Sequence, residues 1–263
     1  MMFVKMAYIK RKIRGLAWRV FNMLENNGNC NFEQNGEKLF IENLFEHFKN
    51  KDGREKIVFD IGANIGEYSS MLSEYSLKNN IDIELHLFEP TKSCFQVLEK
   101  KFKDKDNVHL NHFGVSNKSE MATIFYDKET SGFASLYKRN LYVYNVDLGK
   151  KEDVFLKRMD EYIEQNNILH IDFVKIDIEG HELRAFEGFG KYLSGDYIDF
   201  IQFEYGGANL DSHTSLMEIY DFLESRKFEI AKVMPKGLEF RKYEPFMENF
   251  QYANYVAVSK AKF

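Results

Sequence analysis

The sequence contains few of the residues that build covalent frameworks, linkers or membrane spans. Its 263 residues include only two cysteines and three prolines, and no apolar run is long enough to cross a bilayer. Two cysteines without metal-ligand spacing exclude a disulfide scaffold and indicate a reducing compartment. The shortage of proline leaves no Pro-rich linker. We therefore expect a cytoplasmic protein with one full hydrophobic core.

Acidic residues are missing from residues 1–24, which carry six lysines or arginines. The whole chain has a net charge of −5, so the remainder sums to −11, which disfavours a nucleic-acid partner for the body. Arg14 and Arg19 interrupt the apolar run that a signal peptide needs. One helical face gathers Met6, Ile9, Ile13, Leu16, Val20 and Leu24, with basic residues on both sides.

This basic amphipathic helix at 1–24 has two readings. Its apolar face can rest on an anionic membrane surface, which would make the protein membrane-peripheral. It can also pack on the rest of the protein, as most amphipathic helices do. We expect packing, and we keep peripheral membrane contact as the alternative.

Predicted strands and helices alternate through the middle of the chain, which indicates βαβ units in a mostly parallel α/β sheet. Short strands without intervening helices follow near the carboxyl end and predict antiparallel pairing. We divide the chain into an N-terminal helical extension at 1–50 and a main domain at 51–263. The buried strands of the alternating part are predicted at 56–60, 83–88, 108–113, 173–178 and 197–203.

The turn after the first predicted strand has the composition of a cofactor site. The strand ends at an acid and passes two glycines before a helical pattern, as in nucleoside-binding α/β proteins. A dinucleotide site needs a middle glycine where this chain has Asn64, so S-adenosylmethionine, which has no pyrophosphate, fits better. The alternative is a tight turn between strand and helix that binds no ligand, in which the glycines are needed only for the backbone conformation. The candidate cofactor contacts are Asp60, Gly62, Asn64, Gly66, Glu67, Tyr68 and Ser69.

Two later strand ends extend this candidate site. Glu89 closes the second strand and lies 23 residues after Gly66, where a carboxylate that binds ribose hydroxyls is expected. Its alternative role is that of an acid at a helix N-terminus. Ser116 follows the third strand, where it would border the adenine or belong to an ordinary turn.

The densest group of titratable residues follows the strand at 173–178. Asp177, Glu179 and His181 meet at its end, and Glu204 ends the next strand and would face Asp177. Methyl transfer to a hydroxyl needs alignment and a base, so we take these four as catalytic candidates. Asp177 and Glu204 are also candidates for a divalent cation. In the alternative, Glu179 only caps a helix, and His181 is a surface residue whose hydrogen bonds are all made within the protein.

Five segments resemble the FkbM family of S-adenosylmethionine-dependent methyltransferases and occur in family order. The resemblance covers roughly 55–260 and implies a class I methyltransferase fold: a Rossmann-like, mostly parallel seven-stranded sheet ending in an antiparallel strand pair. It implies cofactor contacts at Asp60, Gly62, Asn64, Gly66 and Glu89, and places Asp177, Glu179 and His181 at the active-site strand end. The segments are 58–66 (VFDIGANIG), 88–90 (FEP), 111–117 (NHFGVSN), 158–160 (RMD) and 174–182 (VKIDIEGHE).

The family resemblance further implies O-methylation of a hydroxyl on a sugar, a glycan precursor or another small metabolite. We expect the region 131–150 to shape the acceptor pocket, and its aromatic residues to belong either to a sugar-stacking wall or to the core. Two alternatives stay open. One is a nicotinamide-dependent Rossmann oxidoreductase, and the other is a non-catalytic, membrane-associated binding protein that keeps the fold.

Overall fold

The computed structural model describes residues 2–50 and 53–262, with side chains from residue 8 onward. Residue 1 of the predicted basic helix, its side chains at 5 and 6, and residue 51 at the predicted domain boundary lie outside the described residues. The α-helices are α1 (Met2–Leu24), α2 (Glu37–Lys49), α3 (Glu67–Asn79), α4 (Lys92–Phe102), α5 (Met159–Gln165), α6 (Glu182–Gly188), α7 (Gly207–Ser212) and α8 (Leu216–Glu224).

Strands and helices alternate through the parallel part of the fold as the sequence predicts, and the central parallel strands are buried on both faces. Val58 of the first strand packs in the apolar cluster on one side of the sheet, while Phe59 and Ile61 pack in the cluster on the other. The strands are β1 (Lys56–Ile61), β2 (Ile83–Phe88), β3 (Val108–Asn111), β4 (Gly114–Val115), β5 (Glu120–Tyr126), β6 (Lys150–Lys157), β7 (Ile171–Ile176), β8 (Ile198–Tyr205), β9 (Phe228–Met234), β10 (Gly237–Phe240) and β11 (Ala253–Ser259).

The main sheet has the order β10-β9-β11-β8-β7-β1-β2-β3. Strands β3, β2, β1, β7 and β8 are mutually parallel, whereas β11, β9 and β10 run antiparallel to their neighbours. The predicted class I methyltransferase fold is confirmed. The sheet has eight strands rather than seven, because β9 and β10 form a tight hairpin that pairs Met234 with Gly237 and adds an edge strand.

A second sheet of three strands, in the order β4-β6-β5, lies beside the first. The sequence predicts helix only in the second half of 154–165, and the first half belongs to β6. Ile124, Val154 and Leu156 form the small apolar cluster of this sheet. The sheet therefore supplies an apolar wall next to the carboxyl ends of β1 and β2.

The expectation that α1 packs its apolar face on the domain is wrong. Ile9, Ile13 and Leu16 are 57%, 61% and 64% exposed. The packing contact falls on a different face, near the carboxyl end of α1, where Phe21 meets Phe246 edge-on with ring centroids 6.0 Å apart. An amphipathic pattern predicts a helix with an apolar side, but it does not say what covers that side.

Candidate active site

One cavity lies at the carboxyl ends of the parallel strands, where ligands bind in open α/β sheets. Its empty space, including the open mouth, is about 920 Å³. The predicted site residues that line it are Gly62, Asn64, Glu89, Asp177, Glu179, His181 and Glu204.

The remaining predicted contacts lie elsewhere. Asp60, Glu67 and Tyr68 line a smaller hollow that shares Gly62, Asn64 and Asp177 with the main cavity. Gly66, Ser69 and Ser116 line neither of these spaces. Seven of the predicted positions thus meet in one cavity, three adjoin it, and three stand behind its walls.

The turn after β1 needs glycine for steric reasons. Gly62 has φ +85°, and a Cβ there would lie 1.9 Å from the backbone oxygen of Asp177. A side chain at Gly62 would push the end of β1 away from the end of β7. Asn64 also has positive φ, at 48°, a conformation that asparagine tolerates. Asparagine suits this position for two reasons: it tolerates the positive φ, and its side chain can form a hydrogen bond.

Asn64 ties this turn to the segment that covers the cavity. Its side-chain amide donates a hydrogen bond to the backbone oxygen of Ser131 at 3.1 Å. Ser131 and Ser135 line the cavity, and the Ser135 hydroxyl donates to the backbone oxygen of Glu179 at 2.9 Å. The predicted pocket segment 131–150 is thus bonded at its start to both the β1 turn and the β7 turn.

Asp60 is buried behind the turn. Its carboxylate accepts a hydrogen bond from the Ser69 hydroxyl, which explains the position of Ser69 away from the cavity. Burial raises the pKa of Asp60 to about 6, against the lowering effects of the Ser69 bond and the Lys175 charge. Asp60 therefore holds helix α3 against β1 and contributes negative charge beneath the cavity floor.

Glu89 combines a structural bond with an open position in the cavity. Its carboxylate accepts hydrogen bonds from the backbone N–H of Asn64 at 2.9 Å and of Thr91 at 2.8 Å. Burial raises its pKa, although these hydrogen bonds oppose the shift. The Thr91 hydroxyl also donates to this carboxylate, at 2.6 Å, to the same oxygen as the Thr91 N–H. In the described part of the chain, the other oxygen accepts only the Asn64 N–H, so it can still accept a bond from a ligand hydroxyl.

Apolar residues surround Glu89 and form a narrow wall suited to a flat aromatic ring. The wall joins the end of β2 to the small second sheet. Its members are Phe88, Pro90, Val115, Ile124 and Leu156, all of which line the cavity. A carboxylate at the edge of an apolar wall fits a nucleoside, whose base is apolar on its faces and whose ribose is polar.

Two cations lie among the acids on the other side of the β1 turn. The ammonium of Lys175, only 5% exposed, lies 3.1 Å from the Asp177 carboxylate. Burial opposes its charge, but Asp177, Glu37 and Glu204 outweigh burial and raise the pKa of Lys175. Arg139, 8% exposed, forms ion pairs with Glu179 and, at 3.3 Å, with Asp211. The acids are therefore partly neutralised and held in place.

Burial raises the pKa values of both Glu179 and Glu204 above the ordinary carboxylate range. Burial, followed by the negative charge of Asp177, raises the pKa of Glu179 to about 8 in spite of Arg139. The same two causes raise the pKa of Glu204. Among the residues that the structure describes, none donates a hydrogen bond to the Glu204 carboxylate, which lines the cavity. Glu204 is thus the acid with the most open lone pairs.

His181 is held from both sides. Its Nε2 lies 2.9 Å from the Ser116 hydroxyl and its Nδ1 lies 2.9 Å from the Tyr137 hydroxyl. Burial, together with the charge of Arg184, lowers the pKa of His181 to about 4, so the ring is neutral near pH 7. Both ring nitrogens already have hydrogen-bond partners. His181 therefore positions Ser116 and, through Tyr137, the segment 131–150 that covers the cavity, which we call the cover segment.

Sequence reasoning missed Lys175 and Arg139. Lys175 lies two residues before Asp177 in an otherwise apolar strand, a pattern that places both side chains on one face. That signal was readable. Arg139 comes from the irregular segment 131–150, 40 residues away from Glu179 in sequence, and no local pattern indicates this pairing.

Groups that resemble metal sites lie at the opposite end of the sheet. Among residues 8–50 and 53–262, three or more ligand-type atoms approach within 4.8 Å in two places, and neither place is in the cavity. The cation candidates Asp177 and Glu204 instead face the Lys175 ammonium. The groups are Glu84, His86 and His109, and His170, Asp172 and Asp199.

The sequence model of the FkbM methyltransferase domain matches residues 60–230, about two thirds of the chain. The chain belongs to the FkbM methyltransferase domain family. The matched range begins at Asp60 and includes Glu89, Arg139 and the whole acidic cluster. The family assignment therefore covers the residues that line the cavity and leaves α1 and α2 outside.

Solved structures of methyltransferases resemble this one. A methyltransferase FkbM from Methylobacillus flagellatus KT is 16% identical over 78% of this chain and 44% of its own, with a TM-score of 0.46. A SAM-dependent methyltransferase from Agrobacterium tumefaciens is 7% identical over 86% and 62%, with a TM-score of 0.45. Aeropyrum pernix fibrillarin with natively bound S-adenosyl-L-methionine is 13% identical over 78% and 68%, with a TM-score of 0.39. No curated protein matches the chain.

Proposed function

We propose that this protein transfers a methyl group from S-adenosylmethionine to a hydroxyl of a small acceptor, and that the acceptor is a sugar or a glycan precursor. The observation that carries the proposal is one cavity that joins two kinds of carboxylate. Glu89 with its apolar wall lies on one side of the β1 turn, and Asp177, Glu179 and Glu204 lie on the other. This is the division that a nucleoside cofactor and a proton-releasing acceptor require.

The residues around the β1 turn fit the cofactor. Glu89 would accept a bond from a ribose hydroxyl, the apolar wall would hold the adenine, and the Gly62–Asn64 turn would lie near the methionine part. The acids beside Lys175 give the site a negative character that suits a sulfonium cation. The cofactor supplies an activated methyl group on positively charged sulfur.

Glu204 is our candidate for the base that takes the proton of the acceptor hydroxyl. Its open lone pairs and raised pKa bring it toward the range in which a carboxylate accepts a proton near neutral pH. Glu179, paired with Arg139, would hydrogen-bond the acceptor and share the negative charge. In this scheme Asp177 and Lys175 set the charge around the base, and His181 keeps the cover segment in place.

The site does not fit a divalent cation well. Cations such as Mg²⁺ need several oxygen ligands around one point, whereas the Lys175 ammonium already lies 3.1 Å from the Asp177 carboxylate. We therefore derive no step through a metal ion and expect turnover to continue with a chelator present.

A sugar acceptor is supported by aromatic residues in the cover segment. Phe133 lies between cavity-lining residues and is 40% exposed, while Tyr142 and Tyr144 are more exposed still. Exposed aromatic faces suit the apolar faces of sugar rings, and carboxylates suit their hydroxyls. The acidic body of the chain, with its net charge of −11 outside residues 1–24, disfavours nucleic-acid acceptors.

The proposal is tested by incubating the protein with S-adenosylmethionine and a panel of sugars, nucleotide sugars and other hydroxyl metabolites. We expect S-adenosylhomocysteine and a methylated acceptor, both lost in Glu204→Gln and kept in the control Glu84→Gln at the other end of the sheet. Binding of NADH but not of S-adenosylhomocysteine would instead support the oxidoreductase alternative. The non-catalytic alternative would be supported by two results together: the protein binds the cofactor but methylates no acceptor, and the Glu204→Gln variant performs its function in cells as well as the original protein does.

The proposal extends to the domain division and the location of the protein. Residues 1–50 form an extension to a main domain at 51–263, since the family match begins only at residue 60. The cytoplasm remains our proposed location, because Cys30 and Cys94 are free thiols.

A further inference from the structure

The apolar side of α1 is a continuous exposed stripe. Its members are 43% to 66% exposed in a helix whose described contacts with the body lie near its carboxyl end. Exposed apolar patches of this kind mark interaction surfaces in soluble proteins. We define the apolar stripe as Ile9, Ile13, Leu16, Val20 and Leu24.

Positive charge borders this stripe. Lys12 and Arg19 lie on one side of it and Lys10 and Arg14 on the other, all of them exposed. Residues 1–24 contain no acid and carry six basic residues in total. An apolar stripe between two basic borders is the pattern of a helix that lies in the plane of an anionic lipid surface.

The carboxyl end of α1 is fixed to the domain, so the stripe has a defined direction. Glu25 forms ion pairs with Arg241 at 2.7 Å and Lys232 at 3.3 Å. The buried Asn26 donates hydrogen bonds to the backbone oxygens of Asn35 at 2.7 Å and Val233 at 3.0 Å. The helix therefore extends from an anchored base and turns its apolar stripe to solvent.

We propose that α1 binds the protein to the surface of an anionic lipid bilayer, with the apolar stripe among the acyl chains and the basic borders at the headgroups. None of the helices in the described ranges is long and apolar enough to cross a bilayer. The remainder of the chain carries −11, so attraction to anionic lipid is concentrated in α1.

Other occupants fit the charge pattern less well. A second copy would bring two α1 segments of +6 each together, and their repulsion opposes pairing along the stripe. A nucleic acid would satisfy the basic borders but leave the apolar stripe against phosphates and water. The bilayer surface satisfies both parts. This inference does not depend on the methyltransferase activity.

The test is co-sedimentation of the full chain with vesicles of phosphatidylcholine alone or mixed with phosphatidylserine. We expect binding to the anionic vesicles and little to the neutral ones. Lys12→Gln with Arg19→Gln should weaken binding about 25-fold, at about fivefold for each charge removed. The matched control, Lys100→Gln with Lys101→Gln, removes the same charge from exposed positions of α4 and should bind as the original protein does.

The apolar stripe has its own variant and control. Ile13→Ser with Leu16→Ser should abolish sedimentation, whereas Leu77→Ser with Leu169→Ser, at body positions 74% and 87% exposed, should leave it unchanged. Trp18, the single tryptophan of the chain, lies on the side of α1 opposite the stripe and stacks on Phe21. Leu16→Trp in a Trp18→Phe background places the only indole in the stripe, and its emission should shift only with anionic vesicles. This second readout detects binding by α1 itself.

Three results would overturn the proposal. The first is equal sedimentation with neutral and anionic vesicles. The second is anionic binding that the α1 variants leave unchanged. The third is no vesicle binding, together with a dimer or an RNA complex that the stripe or charge variants abolish, measured by analytical ultracentrifugation and gel shift.

Discussion

Replacing Gly62 with alanine tests whether the ends of β1 and β7 meet as closely as the structure indicates. The added Cβ would lie 1.9 Å from the Asp177 backbone oxygen, and the residue keeps φ +85°. The left-handed conformation costs alanine about 1–2 kcal/mol. Relief of the overlap by shifting backbone costs about 1–3 kcal/mol more. Gly62→Ala should therefore lower the free energy of unfolding by about 2–5 kcal/mol.

Gly28→Ala is the matched control for this variant. Gly28 has φ +70°, but a Cβ there would meet nothing within 4 Å, so only the conformational cost of about 1–2 kcal/mol applies. Urea unfolding measures the free energy of unfolding of both variants. Gly62→Ala should lose about 1–3 kcal/mol more of it than Gly28→Ala does. Equal losses would refute the close approach of the two strand ends, and with it the reason that Asp177 lies beside the cofactor turn.

The remaining predictions concern the acidic cluster. A base with a raised pKa acts only when deprotonated, so kcat should rise with pH above the ordinary carboxylate range, and Glu204→Gln should abolish turnover while S-adenosylhomocysteine still binds. Glu179 and Glu204 interact closely, so the pH–rate curve reports the titration of the pair. Arg139→Gln removes a positive charge beside this pair, so the rise of kcat should move to higher pH, whereas Arg184→Gln at an exposed ion pair should leave it in place. A limb near pH 4–5, or one unmoved by Arg139→Gln, would contradict these assignments.

Much of the fold is readable from local patterns. The strand at 83–88 is predicted with the bounds that the structure has, because its apolar pattern and the Pro90 that follows it lie in the sequence itself. The strand β6 is harder to predict. Exposed polar residues make up much of it, so its state depends on its pairing partners rather than on its own pattern.

The site divides in the same way. Glu89 and Asp177 are predictable because each follows a buried strand, and parallel strand ends meet at one edge of the sheet. Ser69 and Gly66 share the motif but lie behind the turn, since the helix that they begin turns one side to the cavity and the other to the core. The Arg139 pairing and the exposed stripe of α1 depend on tertiary placement, for which one sequence holds no local signal.

Calorimetric titration of the full chain with S-adenosylhomocysteine tests the central claim most directly. We predict one binding site, weakened at least about tenfold by Glu89→Gln, because a charge-assisted hydrogen bond is worth about 1.5–3 kcal/mol. The control Glu152→Gln removes the same charge from another acid that accepts a backbone N–H near the start of α4, and it should bind as the original protein does. Absence of binding by the folded protein, or equal weakening by both variants, would contradict the account.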